Sequence, residues 1–196
     1  MADPAVILAI SGSLRAESYN TKLLAEAVAV APVGAKLVPW GDLASIPAFS
    51  EDNENDTGAA VHALRAAIAE AGAVLIATPE YNGSLPGQLK NALDWASRPF
   101  PDNVLRDKPV AVIGASPSPG GTARAQADAR KVLTAIGAQV LEAEVVVPHA
   151  YRQFDSTGRL VDADLRHQLE RLVGELVAEL HTTILAAGDG ITETAA

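Results

Sequence analysis

The chain has 196 residues, 48% of them hydrophobic, and a formal net charge of −9. That length suits one domain with a substantial core, and the hydrophobic share excludes disorder over most of the chain. The acidic balance argues against a nucleic-acid partner or an anionic membrane surface, both of which select for basic faces. No cysteine is present, which excludes disulfides, thiolate catalysis and cysteine-ligated metals and assigns any redox chemistry to a bound cofactor.

Met1-Ala2-Asp3-Pro4 lacks a basic leader region, and the apolar run 5–10 is too short for a secretory segment. No run reaches membrane-spanning length, so a cytoplasmic location is expected. The run 5–10 reads as a strand, and 21–31 as a helix with Leu24, Ala27, Val28 and Ala31 inward. Residues 36–40 are a weaker strand, and 58–71 a helix with Val61, Leu64 and Ile68 inward. A strand at 73–78 and a helix near 86–97 follow, then a strand at 109–115, a helix at about 122–136 and a strand at 139–147. The helix 164–187 closes the pattern, with Leu165, Leu169, Leu172, Leu176, Leu180 and Ile184 on one face.

Strands alternating with helices predict βαβ units and a parallel α/β sheet covered on both faces. One domain is expected over 1–187, with a flexible tail at 188–196. Two segments lack periodicity. Residues 41–57 are long for a connection in a compact domain, which marks functional or mobile loops. Residues 150–161 suit a lid, an interface arm or a plain link to the last helix.

In an open parallel sheet, ligands bind beyond the carboxyl ends of the strands. The loop after the first strand, from Ser11 to Thr21, carries Ser11, Ser13, Arg15, Ser18, Asn20 and Thr21 and runs into a helix. Hydroxyls, an amide and free backbone N–H groups at a helix start form an anion site, and Arg15 adds a bidentate fork. Capping the helix needs one such residue, not five. Neither the Walker spacing nor the dinucleotide fingerprint is present, so a monophosphate fits better than a pyrophosphate.

The loop after the third strand contains Pro79, Glu80, Tyr81, Asn82 and Gly83. Tyr81 suits a flat ring, Asn82 and Gly83 tolerate positive φ, and backbone N–H groups from Tyr81 to Gly83 are candidates for a ring's polar edge. Glu80 is read as a positioning residue, and the turn with Tyr81 merely packed on the surface remains the alternative. The loop after the fourth strand holds Ser116, Gly120 and Gly121. It does not suit a serine nucleophile, because Pro117 has no N–H for an oxyanion. Close backbone approach to a ligand, permitted by the glycines, stands beside a plain turn.

The acidic run Asp52-Asn53-Glu54-Asn55-Asp56 misses the calcium-loop glycine and glutamate positions. His62, His149, His167 and His181 have no metal-ligand spacing, so no metal site is expected. Trp40 and Trp95 read as packing residues.

Gly12-Ser13-Leu14-Arg15-x-x-Ser18-x-Asn20, taken with the run from Pro79 to Gly83 and Pro86-Gly87-x-Leu89-Lys90-Asn91-Ala92-x-Asp94-Trp95, resembles the NADPH-dependent FMN reductase family. The resemblance implies a flavodoxin-like three-layer α/β/α fold with a five-stranded parallel sheet of order 2-1-3-4-5. It places FMN phosphate on Ser11, Ser13, Arg15, Ser18, Asn20 and Thr21. The ring would lie along Pro79, Glu80, Tyr81, Asn82 and Gly83, with Ser116, Gly120 and Gly121 as the third loop. It implies FMN as bound cofactor and NADPH or NADH as hydride donor. A small acceptor such as a quinone or flavin, ping-pong kinetics and a homodimer or homotetramer follow from the same resemblance. No catalytic side chain is named, since hydride transfer to a flavin requires no dedicated acid or base. The alternatives are an FMN electron carrier without its own NAD(P)H oxidation, and an interaction module that has lost the cofactor.

Overall fold

A computed structural model describes residues 4–189. Five strands form one sheet: β1 Ala5–Ser11, β2 Ala35–Trp40, β3 Ala73–Ala77, β4 Pro109–Ala115 and β5 Gln139–Val147. All neighbours are parallel, in the order β2-β1-β3-β4-β5. Parallel neighbours cannot be joined by a tight turn, so the chain crosses over through helices. These are α1 Tyr19–Ala29, α2 Gly58–Glu70, α3 Gly87–Ala96 and α4 Ala123–Ile136, followed by the single turn α5 Ala150–Gln153 and the long α6 Ala163–Asp189.

The strands read as unbroken apolar runs because successive side chains enter two different cores. Ile7 and Ala9 of β1, with Leu75 of β3 and Ile113 of β4, pack under α1 and α6. Leu8, Ile10, Val74, Ile76 and Val112 alternate with them and pack under α2, α3 and α4. Each fully buried aliphatic side chain contributes about 1.5–3 kcal/mol. The edge strand β2 carries Lys36 and Pro39, and β5 carries Glu142 and Glu144. Charge and proline on edges discourage pairing with another sheet.

Two expectations are corrected. α1 begins two residues before Thr21, because Ser18 is its N-cap. Its inward face is Leu23, Leu24 and Ala27, while Val28 is 43% exposed and Ala31 lies beyond the helix. α6 continues through Gly188 and Asp189, so only residues 190–196 of the expected tail lie outside the described residues, as does the side chain of Ile184. Leu169, Leu172, Leu176 and Leu180 face the sheet as expected. The segment 150–161 is tied down on its own chain, as suits a link to the last helix. His149 and Ala150 donate backbone N–H groups to the carbonyls of Ser118 and Ser116, and Phe154 stacks on Tyr19 at 5.8 Å.

One buried charge fastens this segment. Glu26 of α1 is enclosed, and its carboxylate meets Arg159 at 2.7 Å and Arg166 at 3.0 Å. The Glu26 carboxylate raises the Arg159 guanidinium above its ordinary pKa, mainly through their hydrogen bond. A paired carboxylate satisfied on both oxygens is tolerated where a lone one is not.

Close packing demands glycine at Gly114. A Cβ there would run into Thr122 Oγ1 and the Thr78 carbonyl oxygen, one of them backbone and unable to yield. Gly114→Ala is therefore expected to lower the free energy of unfolding by about 1–3 kcal/mol or more. Gly174→Ala in α6, where the added Cβ meets nothing within 4 Å, is expected to raise it by about 0.5–1 kcal/mol. Urea denaturation of the two variants measures both.

Candidate functional site

Three loops leave the carboxyl ends of β1, β3 and β4 and meet over the sheet. In the first, Ser18 Oγ accepts from the N–H groups of Asn20 at 3.1 Å and Thr21 at 3.4 Å. Ser13 Oγ accepts from the Arg15 N–H at 3.3 Å. Both hydroxyls retain a proton to donate. The first turn of α1 contains no acidic residue, which leaves the positive end of the helix open to an external anion. Gly12 lets α3 pack close here, since a Cβ would lie 2.8 Å from Leu89 Cδ2 and displace that side chain.

Asn20 has a different task from donating to a ligand. Its buried amide donates to the Ala115 carbonyl at 3.0 Å and accepts from the Ala115 N–H at 2.9 Å. It thereby replaces a missing strand neighbour and joins the first loop to the third. Ser11 and Thr21 also turn elsewhere, their hydroxyls bonded to each other at 3.1 Å.

The second loop is a miniature hairpin. Tyr81 and Ser84 exchange backbone hydrogen bonds at 3.0 and 3.1 Å. Asn82 at φ 53° and Gly83 at φ 79° supply the two left-handed residues that a type I′ turn needs. The Tyr81 N–H is therefore engaged within the hairpin and does not face a ligand, while its ring stays 48% exposed. Glu80 reaches across to α4 and accepts from the N–H groups of Arg124 at 3.1 Å and Ala125 at 3.2 Å. A carboxylate at the first turn of a helix satisfies orphan donors and the dipole together. Ser84 Oγ donates to Asp128 Oδ2 at 2.6 Å, a second tie from the hairpin to α4.

In the third loop, the Ser116 N–H donates to the Val147 carbonyl at 3.0 Å, and its hydroxyl pairs only with Ser118 among the described residues. Gly121, at φ 59°, lies close against Val146, and a Cβ on Gly120 would meet nothing within 4 Å.

Between the loops lies a small cleft of about 70 Å³. Ser13, Arg15, Ser18 and Asn20 line one end, Pro79, Glu80 and Tyr81 the other, and Ser116 a third side. Asn82 and Gly83 form the hairpin tip outside it, and Ser11, Thr21, Gly120 and Gly121 do not line it. Tyr19, Ala115 and Pro117 do, although residue chemistry alone singled out none of them. Tyr19 had one available signal, its place between two loop residues at a helix start.

The signature helix α3 serves a neighbouring loop. Gln88 Nε2 donates to the carbonyls of Leu43 and Ile46 at 2.9 and 2.8 Å. Asn91 donates to Pro47 O at 2.8 Å and accepts from the Phe49 N–H at 2.7 Å. Trp95 Nε1 donates to Pro47 O at 2.8 Å. These residues share one face of α3, so an irregular stretch gains backbone partners that it cannot supply itself. Arg98 then pairs with Glu51 at 2.8 Å and lies over the Phe49 ring. Arg65, whose guanidinium is lowered by burial and partly restored by Glu54, donates to the Trp95 carbonyl at 3.0 Å. Trp95 is buried, as expected of a packing residue.

An all-parallel sheet of order β2-β1-β3-β4-β5, with an anion-accepting loop and an aromatic hairpin at adjacent strand ends, defines a flavodoxin-like protein. Residues 5–152 match the family described as NADPH-dependent FMN reductase. An NAD(P)H-dependent FMN reductase of Pseudomonas aeruginosa is 42% identical over 173 residues, covering 87% of this chain and 92% of that one. The 2-hydroxy-1,4-benzoquinone reductase of a Burkholderia species is 36% identical, covering 88% and 94%. Among solved structures, the flavoenzyme NAD(P)H:(acceptor) oxidoreductase of Paracoccus denitrificans superposes with a TM-score of 0.82 at 31% identity, covering 91% of this chain and 98% of that one. The chain belongs to the NADPH-dependent FMN reductase family and is an oxidoreductase.

Two outcomes follow from the loop ties. Glu80→Ala leaves two N–H groups of α4 without a partner and is expected to lower stability by about 0.5–2 kcal/mol and weaken FMN binding, whereas Glu80→Gln restores both. Thermal unfolding and FMN titration of the pair check this. Asn91→Ala is expected to lower stability by about 1–3 kcal/mol and to speed amide exchange at Phe49, read by hydrogen–deuterium exchange.

Proposed function

We propose that the protein is an FMN-dependent NAD(P)H oxidoreductase that passes electrons from NADPH or NADH, through FMN, to a quinone, a flavin or a similar small acceptor. The observation that carries this reading is the convergence of Arg15, the acid-free start of α1 and the exposed Tyr81 ring on one cleft. Arg15 makes no ion pair among the described residues, so its guanidinium is available to a phosphate. The names borne by the Pseudomonas and Burkholderia relatives support the reductant and the kind of acceptor.

The donor set fits the phosphate end of FMN, and the cleft of about 70 Å³ encloses only part of such a cofactor. A phosphomonoester dianion suits one guanidinium, the Ser13 and Ser18 hydroxyls and a helix N-terminus. Pro79 and the Tyr81 ring offer flat apolar surface to a heterocycle at the other end. FMN, when bound, supplies hydride acceptance from the nicotinamide and electron release to the second substrate. The protein's part is to hold and orient. Ser13, Arg15 and Ser18 anchor the phosphate, and Asn20 fixes the spacing of the loops. Glu80 sets the hairpin against α4, so that Tyr81 borders the ring while Asn82 and Gly83 shape the turn behind it. Ser116 forms the third wall, on the loop that Gly120 and Gly121 turn. No side chain is assigned a proton-transfer role. Donor and acceptor share one cleft, so the expected rate law is ping-pong.

Residues 1–187 are read as a single cytoplasmic domain. No helix among the described residues is long and apolar enough to cross a membrane. A homodimer or homotetramer is the assembly that the family resemblance implies.

Purified protein is expected to carry or take up FMN and to oxidise NADPH or NADH with a quinone present. Arg15→Ala is expected to raise the FMN dissociation constant by about ten- to a hundredfold, the worth of a charge-assisted hydrogen bond. Protein that ignores FMN rejects the reading. Protein that holds FMN but needs a separate reductase is the electron carrier instead.

A further inference from the structure

A second cavity, of about 380 Å³, lies behind the first loop, between α1 and the carboxyl end of β2. Leu24 and Ala25 of α1, Pro39 and Trp40 of β2, and Leu14 and Leu43 wall it. The hydroxyls of Ser11 and Thr21 enter at one side, already paired with each other, and Arg15 stands beside them. The cavity has only Ser13 and Arg15 in common with the cofactor cleft. Ser11 and Thr21 therefore belong to it, not to the cleft.

We propose that this cavity is a second small-molecule site, for a flat aromatic anion such as an aryl carboxylate or a phenolate. Its volume falls within the range of ligand pockets, and apolar walls with a few convergent polar groups are their usual make-up. The Trp40 indole and the Pro39 ring supply flat faces. Arg15 is the one charged residue in the lining, on a chain whose net charge is −9, so the site selects an anion by local charge alone. Leu14 is 58% exposed, beside the Ser13 and Arg15 that line both spaces, and a ring in the cavity gives this leucine an apolar partner. The wall at Leu43 is preformed, because Gln88 of α3 holds the Leu43 carbonyl.

The coupling to FMN rests on the function proposed above; the site itself does not. An anion here and a phosphate in the cleft both draw on Arg15. Each is expected to weaken the other by the same factor, about two- to tenfold.

The test uses 2-naphthoate and isothermal titration calorimetry on the FMN-loaded protein, with flavin absorbance recorded in parallel. The expected result is one equivalent of naphthoate bound while FMN stays in place. Neutral 2-naphthalenemethanol should bind at least about tenfold more weakly, for want of the charge-assisted contact. Ala25→Trp and, independently, Ala44→Trp fill the cavity from exposed positions. Each should lower naphthoate affinity at least about tenfold, with FMN affinity and NADPH oxidation unchanged. The proposal is overturned by absence of naphthoate binding, by stoichiometric expulsion of FMN, or by unaltered naphthoate affinity in a folded cavity-filled variant. If the protein does not load FMN at all, the same titration on the protein as isolated decides the site separately from the cofactor.

Discussion

A single buried amide sets the geometry on which the rest of the site depends. Asn20 gives both ends of its side chain to the backbone of Ala115, across 95 residues of sequence. A parallel sheet ends in loops that have no hydrogen-bonding pattern of their own, and a buried backbone group left unpaired costs about as much as a lost hydrogen bond. Asn20 removes that penalty at β4 and at the same stroke fixes how far the first loop stands from the third. The second loop is fixed in the same manner by Glu80, whose carboxylate closes the start of α4. The cleft is thus held open by side chains that do not themselves act on a substrate.

The fold was legible because its physical signals are local. Unbroken apolar runs marked β1, β3 and β4, and apolar residues at helical spacing marked α2 and α6. The error at α1 had a local cause too. With the start placed at Thr21 rather than after Ser18, the inward face rotated from Leu23 to Val28. The site was less legible, because polar residues in a loop advertise hydrogen bonding without saying with whom. Ser11, Ser13, Ser18, Asn20 and Thr21 look alike in sequence. In the structure Ser18 caps a helix, Asn20 bridges two loops, Ser11 and Thr21 face a different cavity, and Ser13 stays beside Arg15. Residue type announces the capacity for a contact; only the crossing of the chain decides the partner.

The most recognisable stretch of the chain makes the same point. The run from Gln88 to Trp95 belongs to the family motif, yet Gln88, Asn91 and Trp95 bind backbone of residues 43–49. Its restriction to particular residue types follows from that. An amide at position 91 can both donate and accept, and an indole at 95 combines a donor with a large buried ring. Leu89 meanwhile presses against Gly12, so the helix supports the phosphate-side loop from below. A motif can be specific to a family because it fixes a scaffold as well as because it touches a cofactor.

The enclosure of Glu26 has a consequence for how the chain matures. Its partners, Arg159 and Arg166, lie more than a hundred residues downstream, and α6 is also the helix that completes the cover over one face of the sheet. During synthesis the strands can assemble while that face is shielded by α1 alone, with a carboxylate pointing into the gap. An unpaired charge in an apolar surface opposes premature closure and keeps the exposed face hydrated. Arrival of the two arginines then removes the obstacle just as the covering helix becomes available. The cover of α6 and the neutralisation of Glu26 thus depend on the same stretch of chain, and a chain ending before residue 159 would have neither.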